Sequence, residues 1–182
     1  MPYLQKATPN HASLWYALLE QDRARLEEWL PHLREIRSIA EAEAYINQYA
    51  RSDFYLGEHI YELWQDQHLV GLLSVHNGRM LKQSADIGYW IGSDYTGQGM
   101  TAAACQLIFS KLFDSTPLQV IYIRCAKDNL ASQAVAHKLG MTLLDTKVEV
   151  KETILSFGMT KATWLATGFD EEDLLHFIEE EE

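Results

Sequence analysis

The stretch Asp86 to Phe113, DIGYWIGSDYTGQGMTAAACQLIFSKLF, constrains the fold more than any other part of the chain. It opens as a β-like run, DIGYWIG, passes through a short polar turn, and continues as a helix-like segment from Met100. In that segment Ala103, Ala104, Leu107, Ile108 and Leu112 recur on one face. Pro117 ends it, and Val120 to Ala126, VIYIRCA, follows as a continuous apolar run suited to a sheet interior. Gly97 and Gly99 stand at the mouth of the helix, where glycine weakens the first turn because it loses the most backbone freedom on ordering. A strand–turn–helix junction exposes unpaired amides and the positive end of the helix dipole. Such a junction suits an anion, above all a phosphate, which a side chain in place of hydrogen would obstruct.

Patterning elsewhere fits around this unit. Tyr3 to Thr8 reads as a first strand closed by Pro9, and Asn10 to Leu30 as a helix interrupted by Pro31. Ile39 to Ala50 is a second helix. His59 to Val75 reads as a hairpin joined at Gln65 to Gln67, with a further turn at Asn77-Gly78. A helix over Ala131 to Leu139, closed by Gly140, and two strands between Met141 and Thr160 complete the core. The order β–α–α–β–β–β–α–β–α–β–β predicts an α/β or α+β fold with a largely antiparallel sheet of about seven strands. With no repeat, linker or composition shift, residues 1–182 are expected to form one domain, with a short acidic terminal helix at about 170–182.

Composition narrows the chemistry. The formal net charge of −11 opposes a nucleic-acid partner, because phosphate contacts need clustered Lys and Arg. Acidity of this size favours cationic substrates through the overall field, or serves solubility alone. No run approaches the roughly 20 apolar residues that cross a bilayer, so no membrane partner is expected. The start, MPYLQKATPN, lacks the basic and apolar regions of a signal peptide. Cys105 and Cys125 lie apart in apolar runs, as free thiols of a reducing compartment do, and a soluble cytoplasmic protein is expected. The seven histidines show no metal-ligand spacing, so no metal is expected.

Three readings of the glycine turn need no wider context. A Walker A loop fails, because Met100 rather than Lys follows Gly99. GQGMTA fits the G-x-G-x-x-A form of a dinucleotide loop, yet SDYT separates it from its strand and earlier strands precede it. The third reading is a tight strand–helix connection with no ligand.

Several ordered motifs together resemble the GNAT (GCN5-related) N-acetyltransferases, and within them the RimJ/RimL-like branch that acetylates ribosomal-protein N-termini. They are RARLEEWLP (Arg23 to Pro31), ADIGYWIG (Ala85 to Gly92), the glycine turn, KDNLASQAVAHKLGM (Lys127 to Met141) and SFGMTKATW (Ser156 to Trp164). The family's phosphate loop, [QR]-x-x-G-x-[GA], falls on Thr96 to Thr101; Gly99 matches, while both ends are Thr. The resemblance implies the GNAT fold, with its sheet splayed between the fourth and fifth strands. It implies acetyl-CoA (coenzyme A) as cofactor and an amine-bearing acceptor. A protein N-terminus is the first acceptor to test, with a polyamine or other small amine as the alternative.

The resemblance also assigns residues. Gly97, Gln98, Gly99, Met100 and Thr101 would hold the pyrophosphate, and the backbone of Trp90 and Ile91 would pair with the pantetheine arm. Asn129 and Ser132 match the family's N-x-x-S, where helix capping is the alternative role. Ala136 fills the slot of the tyrosine acid found in many relatives, so Ser132 is expected to serve the leaving sulfur. Glu149 is the candidate base, against a plain exposed carboxylate and a water-mediated route. Trp29 and His32, around the WLP segment, would wall the acceptor groove. Missing the tyrosine, the chain could also be a catalytically silent acyl-CoA-binding module. Exposed aromatics would allow a homodimer.

Overall fold

The computed structural model describes residues 2–50, 59–79, 82–169 and 176–178. Its strands are β1 (Tyr3–Lys6), β2 (His59–Gln65), β3 (His68–Arg79), β4 (Ser84–Ile91), β5 (Val120–Ala126), β6 (Thr142–Val148), β7 (Thr153–Thr160) and β8 (His176–Ile178). The helices are α1 (Ala12–Trp29), α2 (Ile39–Ala50), α3 (Met100–Ser115), α4 (Leu130–Lys138) and α5 (Lys161–Ala166). One mixed sheet runs in the order β6-β7-β5-β4-β3-β2-β1-β8. β4 with β5 and β1 with β8 are parallel, and the remaining neighbours are antiparallel. The expected mixed sheet is therefore present, extended by a three-residue eighth strand. Among the described residues no helix is long and apolar enough to cross a membrane.

Strand alternation sorts side chains into two layers. Ala85, Ile87, Leu73, Ile121, Ile123, Leu155 and Phe157 pack with α3, Ala136 of α4 and Trp164 of α5. On the opposite face Ile60, Trp64, Leu72 and Trp90 pack with Trp15, Leu19 and Leu26 of α1 and Ala42 and Ile46 of α2. Ten residues of α3 are buried, more than one stripe, because α3 lies between the sheet and neighbouring helices.

A buried carboxylate fixes the second layer to the start of α1. Glu62 is wholly buried and accepts from Gln5 Nε2 at 2.9 Å and Trp64 Nε1 at 3.1 Å, with His11 Nδ1 at 2.8 Å. These partners offset the large cost of taking a carboxylate out of water.

The sheet opens where the fourth and fifth strands part. β4 and β5 pair only at Ser84↔Val120, Ala85↔Ile121 and Asp86↔Tyr122. β4 continues to Ile91 and β5 to Ala126, and no pairing joins those ends. The backbone groups facing that gap are left for something other than the sheet.

Local expectations differ from the structure at three places. β3 runs through Asn77 and Gly78 to Arg79, with a register shift between His76 and Arg79, instead of turning at Asn77. α5 was hidden in the trailing Trp motif; Thr160 caps it by accepting from Thr163 N at 3.1 Å. The acidic helix expected at about 170–182 lies mostly outside the described residues. The three that are described form β8, whose pairing with β1 covers an otherwise open sheet edge.

Candidate active site

The glycine turn presents the mouth of α3 to a cavity of about 650 Å³. Gly97 and Gly99 take φ of 74° and 80°, the left-handed region that costs other residues about 1–2 kcal/mol. Gly99 is the N-cap and offers no side chain to the first-turn amides. Lys138 Nζ, at the end of α4, lies 2.6 Å from where a Cβ on Gly99 would stand. A hydrogen at that carbon thus leaves room for an ammonium beside the helix's positive end. Two positive features converge on one point, as an anionic ligand requires.

The cavity then follows the strand gap. Gly92 N donates to Val70 O at 2.8 Å, and β4 stays in continuous register with β3 from Gly71↔Ile91 to His76↔Asp86. Alternation along the strand directs the backbone groups of Trp90 toward Leu72 of β3, and those of Tyr89 and Ile91 toward the gap. The expectation that the Trp90 backbone faces the cofactor is corrected by this register. Its indole instead packs in the α1/α2 layer, edge-on to Trp15 at 6.2 Å. Ile91 O accepts from Arg25 Nη2 at 2.7 Å, and Asp22 holds Arg25 at 2.9 Å and Ser93 N at 2.6 Å.

At the far end Tyr89 reaches α4. Its hydroxyl lies 2.9 Å from Ser132 Oγ and 3.2 Å from Ser132 O. Asn129 Oδ1 accepts from Ser132 N at 3.1 Å, so Asn129 is the cap of α4 and fixes where Ser132 sits. Cys125 lines the same pocket. Burial, with lesser help from Cys105, keeps the Tyr89 hydroxyl protonated well above the ordinary tyrosine range. Burial likewise holds both cysteines as thiols. Ala136 is fully buried in the core, so its slot contributes no acid.

A second cavity of about 200 Å³ adjoins the first on the α1/α2 face. The two share Leu30, Ile87, Gly88, Tyr89, Trp90 and Arg124, residues clustered where β4 and β5 separate. Asp86, nearly buried, forms an ion pair with Arg124, whose guanidinium lies 4.6 Å over the Tyr122 ring. His32 stacks on Tyr45 at 6.2 Å in this second cavity. Partial burial first, and His76 second, lower its pKa below 6.5.

The site residues expected from sequence fall into two groups. Trp90, Ile91, Gly97, Gly99, Met100, Thr101, Asn129, Ser132 and Trp29 line the large cavity, and His32 the small one. Gln98 lies outside the lining, its side chain donating to Asp94 O at 3.1 Å. Glu149 is not brought to the cleft. It sits in the β6–β7 turn, where its N–H meets Glu152 O at 2.8 Å and its carboxylate meets Lys147 Nζ at 2.7 Å. Its turn is held by that backbone bond without a Gly, Asn or Pro, which carried the residue past the strand expected to aim it inward. Sequence reading missed Tyr89, Lys138 and Arg25. For Tyr89 the signal was available, since alternation from Ile87 places it on the α3/α4 face.

A splayed sheet with an open glycine turn beside Lys138 and a paired Tyr–Ser along the same gap is the form of site that suits an acyl-CoA-dependent acyltransferase. Comparison with known proteins carries this to a family. Residues 3–142 match the family of the acetyltransferase (GNAT) domain. YdaF of Bacillus subtilis (strain 168), described as a candidate ribosomal N-acetyltransferase, is 31% identical over 134 residues, 72% of this chain and 73% of its own. The ribosomal-protein-serine acetyltransferase of Escherichia coli (strain K12) is 23% identical over 146 residues, 77% of this chain and 78% of its own. Among solved structures, RimL, a ribosomal alpha-N-protein acetyltransferase in complex with coenzyme A, shares the fold. Its TM-score is 0.82 at 20% identity, covering 88% of this chain and 94% of that one. The chain belongs to the GNAT acetyltransferase family and is an acetyl-CoA-dependent N-acetyltransferase. The cleft fits that cofactor: the Gly99 cradle with Lys138 suits its phosphates, and the unpaired edge of β4 suits its amide arm.

Proposed function

We propose that the enzyme acetylates the N-terminal amine of a polypeptide, the acceptor entering by the smaller cavity and meeting the cofactor where β4 and β5 part. The observation that carries this reading is the hydrogen bond from Tyr89, which lines both cavities, to Ser132, which lines the larger one. Acetyl-CoA, when bound, supplies an activated thioester. Gly97, Gly99, Met100 and Thr101 would hold its phosphates through main-chain amides, with Lys138 adding charge. Ile91, freed from Arg25, would offer backbone groups to its arm, and the backbone N–H groups on this edge of β4 would be the donors for negative charge on the thioester oxygen. Ser132, its hydroxyl held by the neutral Tyr89 at 2.9 Å, would donate a hydrogen bond to the departing sulfur, and the thiolate would leave with the proton that the acceptor amine gives up. Tyr89 thereby positions Ser132 at the slot left without a tyrosine by Ala136.

Charge in the smaller cavity supports a polypeptide end over a polyamine. Its carboxylate, Asp86, is already matched by Arg124, and His32 is predominantly neutral near pH 7. A polyamine would need uncompensated acidity there. The names of the two relatives point the same way. With Glu149 lining neither cavity, His32, directly or through solvent, takes the proton released by the amine.

The setting that goes with this reading is the cytoplasm, where Cys105 and Cys125 stay free. A homodimer belongs to it too, although the large apolar residues exposed among the described ones are aliphatic and not aromatic. Incubation with acetyl-CoA and libraries of peptides and small amines, read by mass spectrometry and by thiol release, tests the activity. Acetylation of polyamines in preference to peptides would overturn the acceptor assignment. Coenzyme A binding without turnover of any amine would instead leave a binding module, the reading favoured by a Glu149 that lines neither cavity.

A further inference from the structure

Arg25 reaches from α1 onto the free edge of β4. Its Nη2 donates to Ile91 O at 2.7 Å, and the same nitrogen lies 2.9 Å from Asp22 Oδ2. That carboxylate oxygen also accepts from Ser93 N at 2.6 Å, at the start of the Ser93–Tyr95 turn that leads to Gly97. One carboxylate thus anchors both the guanidinium and the turn. The two side chains differ in freedom, Asp22 being 11% exposed and Arg25 40%. The backbone beneath them is closely packed, since a Cβ on Gly92 would stand 3.1 Å from Leu18 Cδ1 and 3.4 Å from Tyr95 Cδ2. Rotation of the Arg25 side chain is therefore the movement this contact allows, with α1 and the turn staying in place.

Ile91 O lies on the part of β4 that β5 leaves unpaired, and Arg25 stands with it in the wall of the larger cavity. An open strand edge is a template for any extended chain that meets it, and Arg25 covers this one. We propose that Arg25 is an autoinhibitory latch: without cofactor it occupies the carbonyl that an amide N–H of the coenzyme A arm takes on binding, so the arm must displace it. This deepens the reading that the arm lies along β4, and rests on it. A ligand that needs a closed contact to open binds more weakly, in proportion to the fraction of molecules already open. The latch acts on the arm and not on the phosphates, which the Gly97 to Thr101 amides and Lys138 address.

Calorimetry on the whole chain tests this with two ligands, coenzyme A and 3′-phospho-ADP, its nucleotide half without the arm. The ratio of the two affinities cancels the long-range effect of removing a charge. Arg25→Ala should raise the affinity for coenzyme A about threefold to tenfold relative to that for the nucleotide. An unchanged ratio overturns the latch, and a lowered one overturns it by making Arg25 a ligand of the arm. Should Arg25→Ala show no melting transition, the wild type carries the test through ¹⁵N NMR of the Arg25 guanidinium. Its rotation should be restricted in the free enzyme and with the nucleotide, and released with coenzyme A. Restriction that persists with coenzyme A bound overturns the latch. A wild type that binds coenzyme A no more tightly than the nucleotide would instead remove the arm from β4, and the latch falls with that reading.

Discussion

The Tyr89 hydroxyl stands 2.9 Å from Ser132 Oγ, joining the free edge of β4 to the first turn of α4 across the cofactor cleft. Asn129 fixes one side of this pair by capping α4, and the β3–β4 register fixes the other. Removing either hydroxyl should therefore act on chemistry more than on binding. Tyr89→Phe and Ser132→Ala are each expected to lower kcat on the order of 10²-fold with little change in KM for acetyl-CoA. The double variant should lose little more than either single one, because the two act as one hydrogen-bonded unit. Additive losses in steady-state kinetics would separate their roles.

The proton on Tyr89 sets a pH dependence. Its pKa lies above the ordinary value of 10.0, so the folded state holds the proton after the unfolded chain has released it. That contribution to stability is complete below about pH 10 and is lost as pH rises beyond it. Tyr89→Phe should thus lose less stability than the wild type between about pH 10 and 11, measured by denaturant unfolding. Wild-type turnover should show no decline below pH 10 that Tyr89→Phe abolishes.

At the cradle, Gly99→Ala must take a left-handed φ and push Lys138 aside. It should weaken coenzyme A binding at least tenfold by calorimetry, alongside a stability loss of about 1–2 kcal/mol. Lys138→Ala keeps the turn and removes only charge. It should cost roughly tenfold in affinity, with a shallower salt dependence of binding than the wild type shows.

Glu149 provides the contrasting case. It is exposed, paired with Lys147 and lines neither cavity, although its N–H bonds Glu152, which borders the larger one. Glu149→Gln should keep kcat within about a factor of two and stability within about 1 kcal/mol. A larger fall in kcat would restore it as the base.

Glu62 should matter for folding and not for chemistry. Glu62→Ala leaves the hydrogen-bonding groups of Gln5, His11 and Trp64 without their shared acceptor. A loss of about 3 kcal/mol in urea unfolding is expected, with KM for acetyl-CoA unchanged.

Much of this was legible along the chain. Apolar spacing in Met100 to Phe113 placed α3, the run VIYIRCA placed β5, and Gly97 and Gly99 marked a turn that other residues resist. Asn129 and Ser132 revealed the cap of α4 by their spacing. Such features are set by neighbours within a few residues, where backbone sterics and periodicity decide the outcome. The fold family followed from their order.

Contacts between distant segments were decided only in three dimensions. Tyr89 and Ser132 are 43 residues apart, and their meeting depends on the parity of β4, its register with β3 and the cap of α4 together. A shift of one residue in that register would have turned Tyr89 to the opposite face and put the Trp90 indole on the α3/α4 side. Lys138 reaches Gly99 because α4 packs beside α3, and Glu149 misses the cleft because the β6–β7 turn ends the strand before it. Sequence determined which elements form and what each offers; packing and strand register chose which of those offers face one another.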